Sequence, residues 1–108
     1  MPSRMLLFVK YEGGVTDGEP TGAMIPLGQR SDVYQALAEY NTSPEVDNGE
    51  VMFGPGLTIQ MPMTGPEVTQ LLVSIGDEGM GWPVVERIAR GCDWTLMDPD
   101  SGRVFSFS

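Results

Sequence analysis

Histidine is absent from the 108-residue chain. The usual general base near neutral pH is therefore missing, together with the commonest transition-metal ligand and every nucleophile–histidine pair. Cys92 is the only cysteine and Lys10 the only lysine. A reactive Cys92 would need a neighbouring cation or a helix N-terminus to lower its pKa. It follows Gly91 at a predicted helix C-terminus instead, where the dipole acts in the opposite sense, so a structural thiol is expected. One cysteine without histidine excludes ordinary zinc and iron–sulfur sites, and Lys10, within a predicted strand, gives little scope for Schiff-base chemistry. The expectation is no catalytic residue, no metal and no cofactor.

Carboxylates are the remaining groups that could do chemistry. Glu12, Asp17 and Glu19 fall in one turn-rich stretch, and Glu45, Asp47 and Glu50 in another. Such sets can hold a hard cation or share acid–base work, but no spacing rule supports either here, and solvated loop acids are the plainer reading. Asp98-Pro99-Asp100-Ser101-Gly102 has acids at alternate positions, yet it lacks a closing glutamate and is read as a turn. The glycine clusters at 13–14, 54–56 and 76–81 carry neither a Walker lysine nor the GxGxxG spacing, so turns or a hinge are expected.

The formal charge is −9, from 15 acids and 6 bases. Like charge argues against nucleic acid or an anionic membrane as partner and favours a basic partner or none. Between Glu12 and Glu50 there are eight acids and one base, Arg30. Two readings of this acidic half stand side by side: general solubility, or a dedicated acidic face. If it is a face, Asp17, Glu19, Glu45, Asp47 and Glu50 are the expected partner-binding residues. A lone cysteine suits a reducing compartment, and no stretch approaches the ~20 apolar residues of a membrane span. A cytoplasmic location is expected.

The elements that must carry these groups fit a single α+β domain over residues 1–108, a length that can bury a core without disulfides or metals. RMLLFVKY from Arg4 to Tyr11 reads as a central strand with both faces covered. EGGVTDGEPTG from Glu12 to Gly22 reads as a long exposed loop, and Ala23 to Leu27 as an edge strand interrupted by Pro26. Ser31 is the expected N-cap of a helix over 32–42. A hairpin follows, Glu50 to Phe53 and Leu57 to Met61 around Gly54-Pro55-Gly56. Thr64-Gly65-Pro66-Glu67 reads as a capping-box helix start, with Val68, Leu71, Leu72 and Ile75 on one face and Gly76 ending it. Asp77 to Gly81 reads as an elbow before a second helical piece, opened by Pro83 and closed by Gly91. Strands at Trp94 to Met97 and Arg103 to Phe107 complete the chain. Eight methionines suit core filling or an adaptable surface.

This β-α-β-β-α-β order with an extra C-terminal strand suggests a ferredoxin-like sandwich with a mostly antiparallel sheet. Within Trp82 to Phe107, the run WPVVERIARGCDWTLMDPDSGRVF resembles the ends of small acidic bacterial proteins, among them immunity proteins that neutralise a toxin. The resemblance covers about a quarter of the chain. It implies helix, strand, Asp-Pro-x-x-Gly turn and last strand in a bacterial protein, and transfers no functional residue. The expected function is a non-catalytic binding protein that presents its acidic surface to a basic protein partner, of immunity or inhibitor type. The alternatives are a small-molecule-binding or enzymatic domain with a cleft beside the 12–22 loop, near Tyr11, Glu12 and Asp17, and a homo-oligomeric structural module.

Overall fold

Arg4 to Tyr11 form the strand around which the sheet is built. The structure, a computed structural model, describes residues 4–16, 19–45, 49–62 and 65–105. After β1 (Arg4–Tyr11) come the short strands β2 (Val15–Thr16), β3 (Glu19–Pro20), β4 (Met24–Ile25) and β5 (Gly28–Gln29), then helix α1 (Arg30–Ala38). Next are β6 (Ser43–Pro44), β7 (Val51–Gly54), β8 (Leu57–Gln60), β9 (Glu67–Val68) and β10 (Leu71–Ile75). Helix α2 (Glu78–Cys92) leads to β11 (Thr95–Met97) and β12 (Val104–Phe105). The main sheet runs β12-β11-β1-β10-β8-β7-β6, with β4 pairing the end of β1; β2 pairs β3, and β5 pairs β9. These pairings are all antiparallel. Among the described residues, no helix is long and apolar enough to cross a membrane.

Strand alternation gives the sheet two unlike faces. On one, Leu6, Phe8, Val73, Ile59, Met52 and Leu96 are fully buried. They share a core with Val33 and Leu37 of α1 and Val84, Val85 and Ile88 of α2, so both helices cover this face. Each such side chain contributes about 1.5–3 kcal/mol by leaving water. Phe8 also meets Trp94 at 5.6 Å between ring centroids. On the other face Met5 stays 41% exposed and Phe53 45%, and Leu7, Leu72 and Met97 are half-buried. The central position of β1 agrees with the sequence; cover on both sides holds at Val9, fully buried on this second face beside Thr95, and fails at Met5.

The architecture is α+β with a mostly antiparallel sheet, but the expected β-α-β-β-α-β order is altered by a strand where a helix was predicted. Leu71–Ile75 is β10, paired with both β1 and β8. Val68, Leu71, Leu72 and Ile75 suit helical spacing, but Val73 does not lie on that helical face, and Val73 is fully buried. Period two satisfies Leu71, Val73 and Ile75 together. The supposed helix start at Pro66 and Glu67 lies instead at β9, and Thr64 is outside the described residues.

The single helix of this region begins where an elbow was expected. Asp77 is its N-cap, its carboxylate accepting the Met80 N–H at 3.2 Å, which satisfies one of the orphan donors of a first turn. Pro83 lies inside α2 rather than opening it, and the helix passes through Gly91 to end on Asp93 in the left-handed region. Gly91 is required for packing rather than termination, since a Cβ there would collide with the Tyr40 hydroxyl. Gly81 has a similar reason: its Cβ would come within 2.8 Å of the Gly56 carbonyl oxygen. That carbonyl accepts the Gly76 and Asp77 N–H groups at 3.0 and 3.1 Å, so the β7–β8 turn is clamped onto the start of α2.

Helix α1 starts at Arg30 with Gln29 as N-cap and without a side-chain cap, and it stops at Ala38. Ser31 is therefore within the helix, and the predicted span of 32–42 is shifted toward the N-terminus. The expected 12–22 loop is largely a ribbon: Glu12 and Gly13 donate to the Ala23 and Thr21 carbonyls, and Thr21 returns a bond to Gly14. Its strands are two residues each, too short to leave a periodic signal.

Candidate interaction surface

The predicted contact residues are positioned by the ends of strands. β1 continues into the β2–β3 ribbon, which carries Glu19, exposed, in β3. Glu45 directly follows β6 and Glu50 directly precedes β7, both exposed. Their level in the sheet follows from register. Phe8 pairs with Leu71, Leu72 with Gln60, Gln60 with Val51, and Met52 with Pro44. Read across, β1 finishes at the same end of the sheet at which β6 finishes and β7 starts. Glu45, Glu50 and, just past β1, exposed Glu12 therefore lie toward one end of the sheet; Glu19 lies beyond it, paired with Thr16 in the separate β2–β3 ribbon. Asp17 and Asp47 lie outside the described residues.

Two side chains brace this end. The Tyr34 hydroxyl on α1 donates to the Gly49 carbonyl at 2.7 Å, which holds the backbone entering Glu50 against the helix. The Glu50 carbonyl in turn accepts the Met61 N–H at 2.7 Å. Arg30, the one base of the acidic half, donates through Nη2 to the Gly65 carbonyl at 2.5 Å. Its Nε is buried without a partner. The guanidinium thus ties α1 to the segment before β9. Among the described residues, Glu12, Glu19, Glu45 and Glu50 form no ion pair, whereas Glu86 and Arg90 on α2 pair at 2.9 Å.

The two acidic sets are not one carboxylate pair. β1 and β6 are four strand spacings apart in the sheet, or about 19 Å at ~4.8 Å per strand, far beyond the reach of shared metal ligation or a coupled acid–base pair. Among the described residues, no group of three or more histidine, cysteine, aspartate or glutamate side chains could hold a metal ion.

Two clefts have none of these acids in their walls. One of about 830 Å³ runs along α1 between Arg30, Tyr34, Gln35, Ser43 and Pro44. Another of about 520 Å³ lies between the end of α1 and the start of α2, with Glu39, Tyr40, Met80 and Arg87 in its wall. Neither is lined by Tyr11 or Glu12, the residues the sequence assigned to a cleft beside the ribbon. Cys92, the last residue of α2, borders a smaller cleft of about 270 Å³. Burial pushes its thiol pKa up, Glu39 adds to the shift and Lys10 opposes it, which disfavours the thiolate that reactivity requires. Asp98 and Asp100 form the turn between β11 and β12: the Asp98 carboxylate accepts the Asp100 N–H at 2.9 Å, and Gly102 donates to the Asp98 carbonyl.

The exposure of Met5 departs from the expected cover on both faces of β1, and Phe53 of β7 is exposed in the same row of the sheet. Of the methionines, Met52 and Met61 fill the core while Met5, Met24 and Met80 are exposed. Comparison of the chain with protein-family models, curated proteins and solved structures finds no match, so its function is argued from this surface.

Proposed function

We propose that this chain is a non-catalytic interaction protein that offers its acidic surface to a basic protein partner, of the immunity or inhibitor type suggested by its C-terminal quarter. The observation that carries the reading is that Glu45 and Glu50 stand exposed and without ion pairs among the described residues where β6 ends and β7 begins, at the end of the sheet from which β1 leads into the ribbon that carries exposed Glu19. Unneutralised carboxylates on a rigid frame raise the local concentration of a cationic partner and can occlude a cationic site. The composition supports the same reading, since a chain without histidine has few routes to catalysis near neutral pH. Asp17 and Asp47 belong to the proposed surface by their place in the sequence.

The test is charge reversal. A variant with Glu19, Glu45 and Glu50 replaced by lysine should keep cooperative unfolding and lose affinity for the basic partner recovered with the native protein, most strongly at low salt. Unchanged affinity together with an unchanged salt dependence would sink the reading.

A further inference from the structure

We infer that the cleft between the end of α1 and the start of α2 binds a small zwitterion, an α-amino acid with a large apolar side chain. The inference goes beyond the acidic-surface reading above, since none of Glu19, Glu45 and Glu50 lines this cleft.

The cleft has two unlike ends, and the register of α2 shows which is which. Met80, Pro83, Val84 and Arg87 line it at i, i+3, i+4 and i+7, so they form one stripe of the helix, about 10 Å long at ~1.5 Å per residue. Pro55 of the β7–β8 turn lies in the wall with Met80, and a Cβ on neighbouring Gly56 would come within 2.8 Å of the Met80 Cβ. With Pro83 and buried Val84, that end is apolar. Arg87 stands at the other end, one turn before Gly91, against which the Tyr40 hydroxyl is packed. Tyr40 and Glu39 border both this cleft and the smaller one at Gly91 and Cys92, which places them at the Arg87 end. Among the described residues the wall thus holds one acid and one base, both at its polar end, and Asn41 adds an amide.

The polar groups of this cleft are not used by the fold. The side chains of Glu39, Asn41 and Arg87 make no hydrogen bond or ion pair among the described residues. The walls, in contrast, are fixed. Thr42 N–H donates to the Leu37 carbonyl at 3.1 Å and Asn41 N–H to the Ala38 carbonyl at 3.2 Å, with Asn41 in the left-handed region, which is the capping pattern that ends a helix firmly. The clamp between Gly56 and Gly81 holds the opposite wall. A preformed cleft of about 520 Å³ with an apolar floor and a few convergent polar groups suits a small molecule. The charges select which one. Arg87 can take a carboxylate on two of its N–H groups, Glu39 can take an ammonium, and the apolar end can take a side chain that points away from both. A simple anion is opposed by Glu39 and by the net charge of −9, and a simple cation by Arg87. A molecule with both signs meets neither objection.

The test is an NMR titration of the full-length chain with L-leucine and with three analogues that each lack one feature: glycine without the side chain, isocaproate without the ammonium, and L-leucinamide without the carboxylate. Leucine should bind with a Kd of about 1 mM or tighter and shift the signals of Glu39, Asn41 and Arg87. Each analogue should bind at least about tenfold more weakly, the loss expected for one charge-assisted hydrogen bond or one buried side chain. Glu39→Gln should abolish the preference for leucine over isocaproate, and Arg87→Gln the preference for leucine over leucinamide. Both positions are exposed, so the fold should tolerate either change, and the analogue series on the native chain needs no variant. Absence of leucine binding at about 10 mM overturns the inference, as does isocaproate or leucinamide binding as tightly as leucine. Leucine preferences that survive both replacements overturn it too, because the ligand would then sit elsewhere. Each of these results leaves the acidic-surface reading standing.

Discussion

The two faces of the sheet come from the same strands, one residue out of phase, and yet one is sealed and the other is closed at Val9 and Thr95 but open at Met5 and Phe53. Phe8 and Val73 are fully buried, while Met5, three residues from Phe8 on the same strand, is 41% exposed. The difference is made by the helices, which pack on one side only. Apolar residues on a helix-covered face are held there by the cost of wetting them; comparable residues on an open face are tolerated in the free chain and become useful when something covers them. One face of this sheet holds the fold together, and the other is only partly covered.

The largest effect should come from attacking the sealed face. Phe8→Ala removes a fully buried ring that also contacts Trp94, and should destabilise the chain by about 3–5 kcal/mol in urea unfolding. Next is the clamp between the β7–β8 turn and α2. Gly81→Ala forces a methyl against the Gly56 carbonyl, and about 1–3 kcal/mol should be lost. Phe53→Thr on the open face should cost less than about 1 kcal/mol. If Phe53→Thr proved as damaging as Phe8→Ala, the two faces would not differ as described.

The smallest effect concerns Cys92. Its folded-state pKa is raised, chiefly by burial, so its contribution to stability is complete below the ordinary thiol pKa and is lost as pH rises through the folded value. Stability should decline over that alkaline window in the native chain, and the decline should be shallower in Cys92→Ala. Identical pH profiles of the two proteins would contradict the raised pKa. The same environment should slow alkylation of Cys92 relative to a free thiol, which a timed iodoacetamide reaction measures.

Much of the frame is legible in the sequence. RMLLFVKY is a strand by composition, Gly54-Pro55-Gly56 marks the hairpin, and Asp98 to Gly102 is turn chemistry that the hydrogen bonds of Asp98 realise. The region from Glu67 to Gly81 was misread because its signals are ambiguous locally. Val68, Leu71, Leu72 and Ile75 satisfy a helical period, and only the neighbours β1 and β8 decide for a strand. Gly79 and Gly81 suggested flexibility, whereas Gly81 is fixed by close contact with Gly56. For the surface, the exposure of Glu19, Glu45 and Glu50 could be expected from their turn-rich surroundings. That Glu45 and Glu50 flank strands at the end toward which β1 runs, and that Met5 and Phe53 face outward in one row, depends on strand order, which is a long-range property that no local window contains.

The most direct test of the central claim is the salt dependence of partner binding for the native chain and for the Glu19, Glu45 and Glu50 to lysine variant. The native chain should bind its basic partner tightly at low salt and weaken steeply as salt is raised, while the variant binds weakly throughout with a shallow dependence. Two coincident curves would show that these carboxylates take no part in recognition.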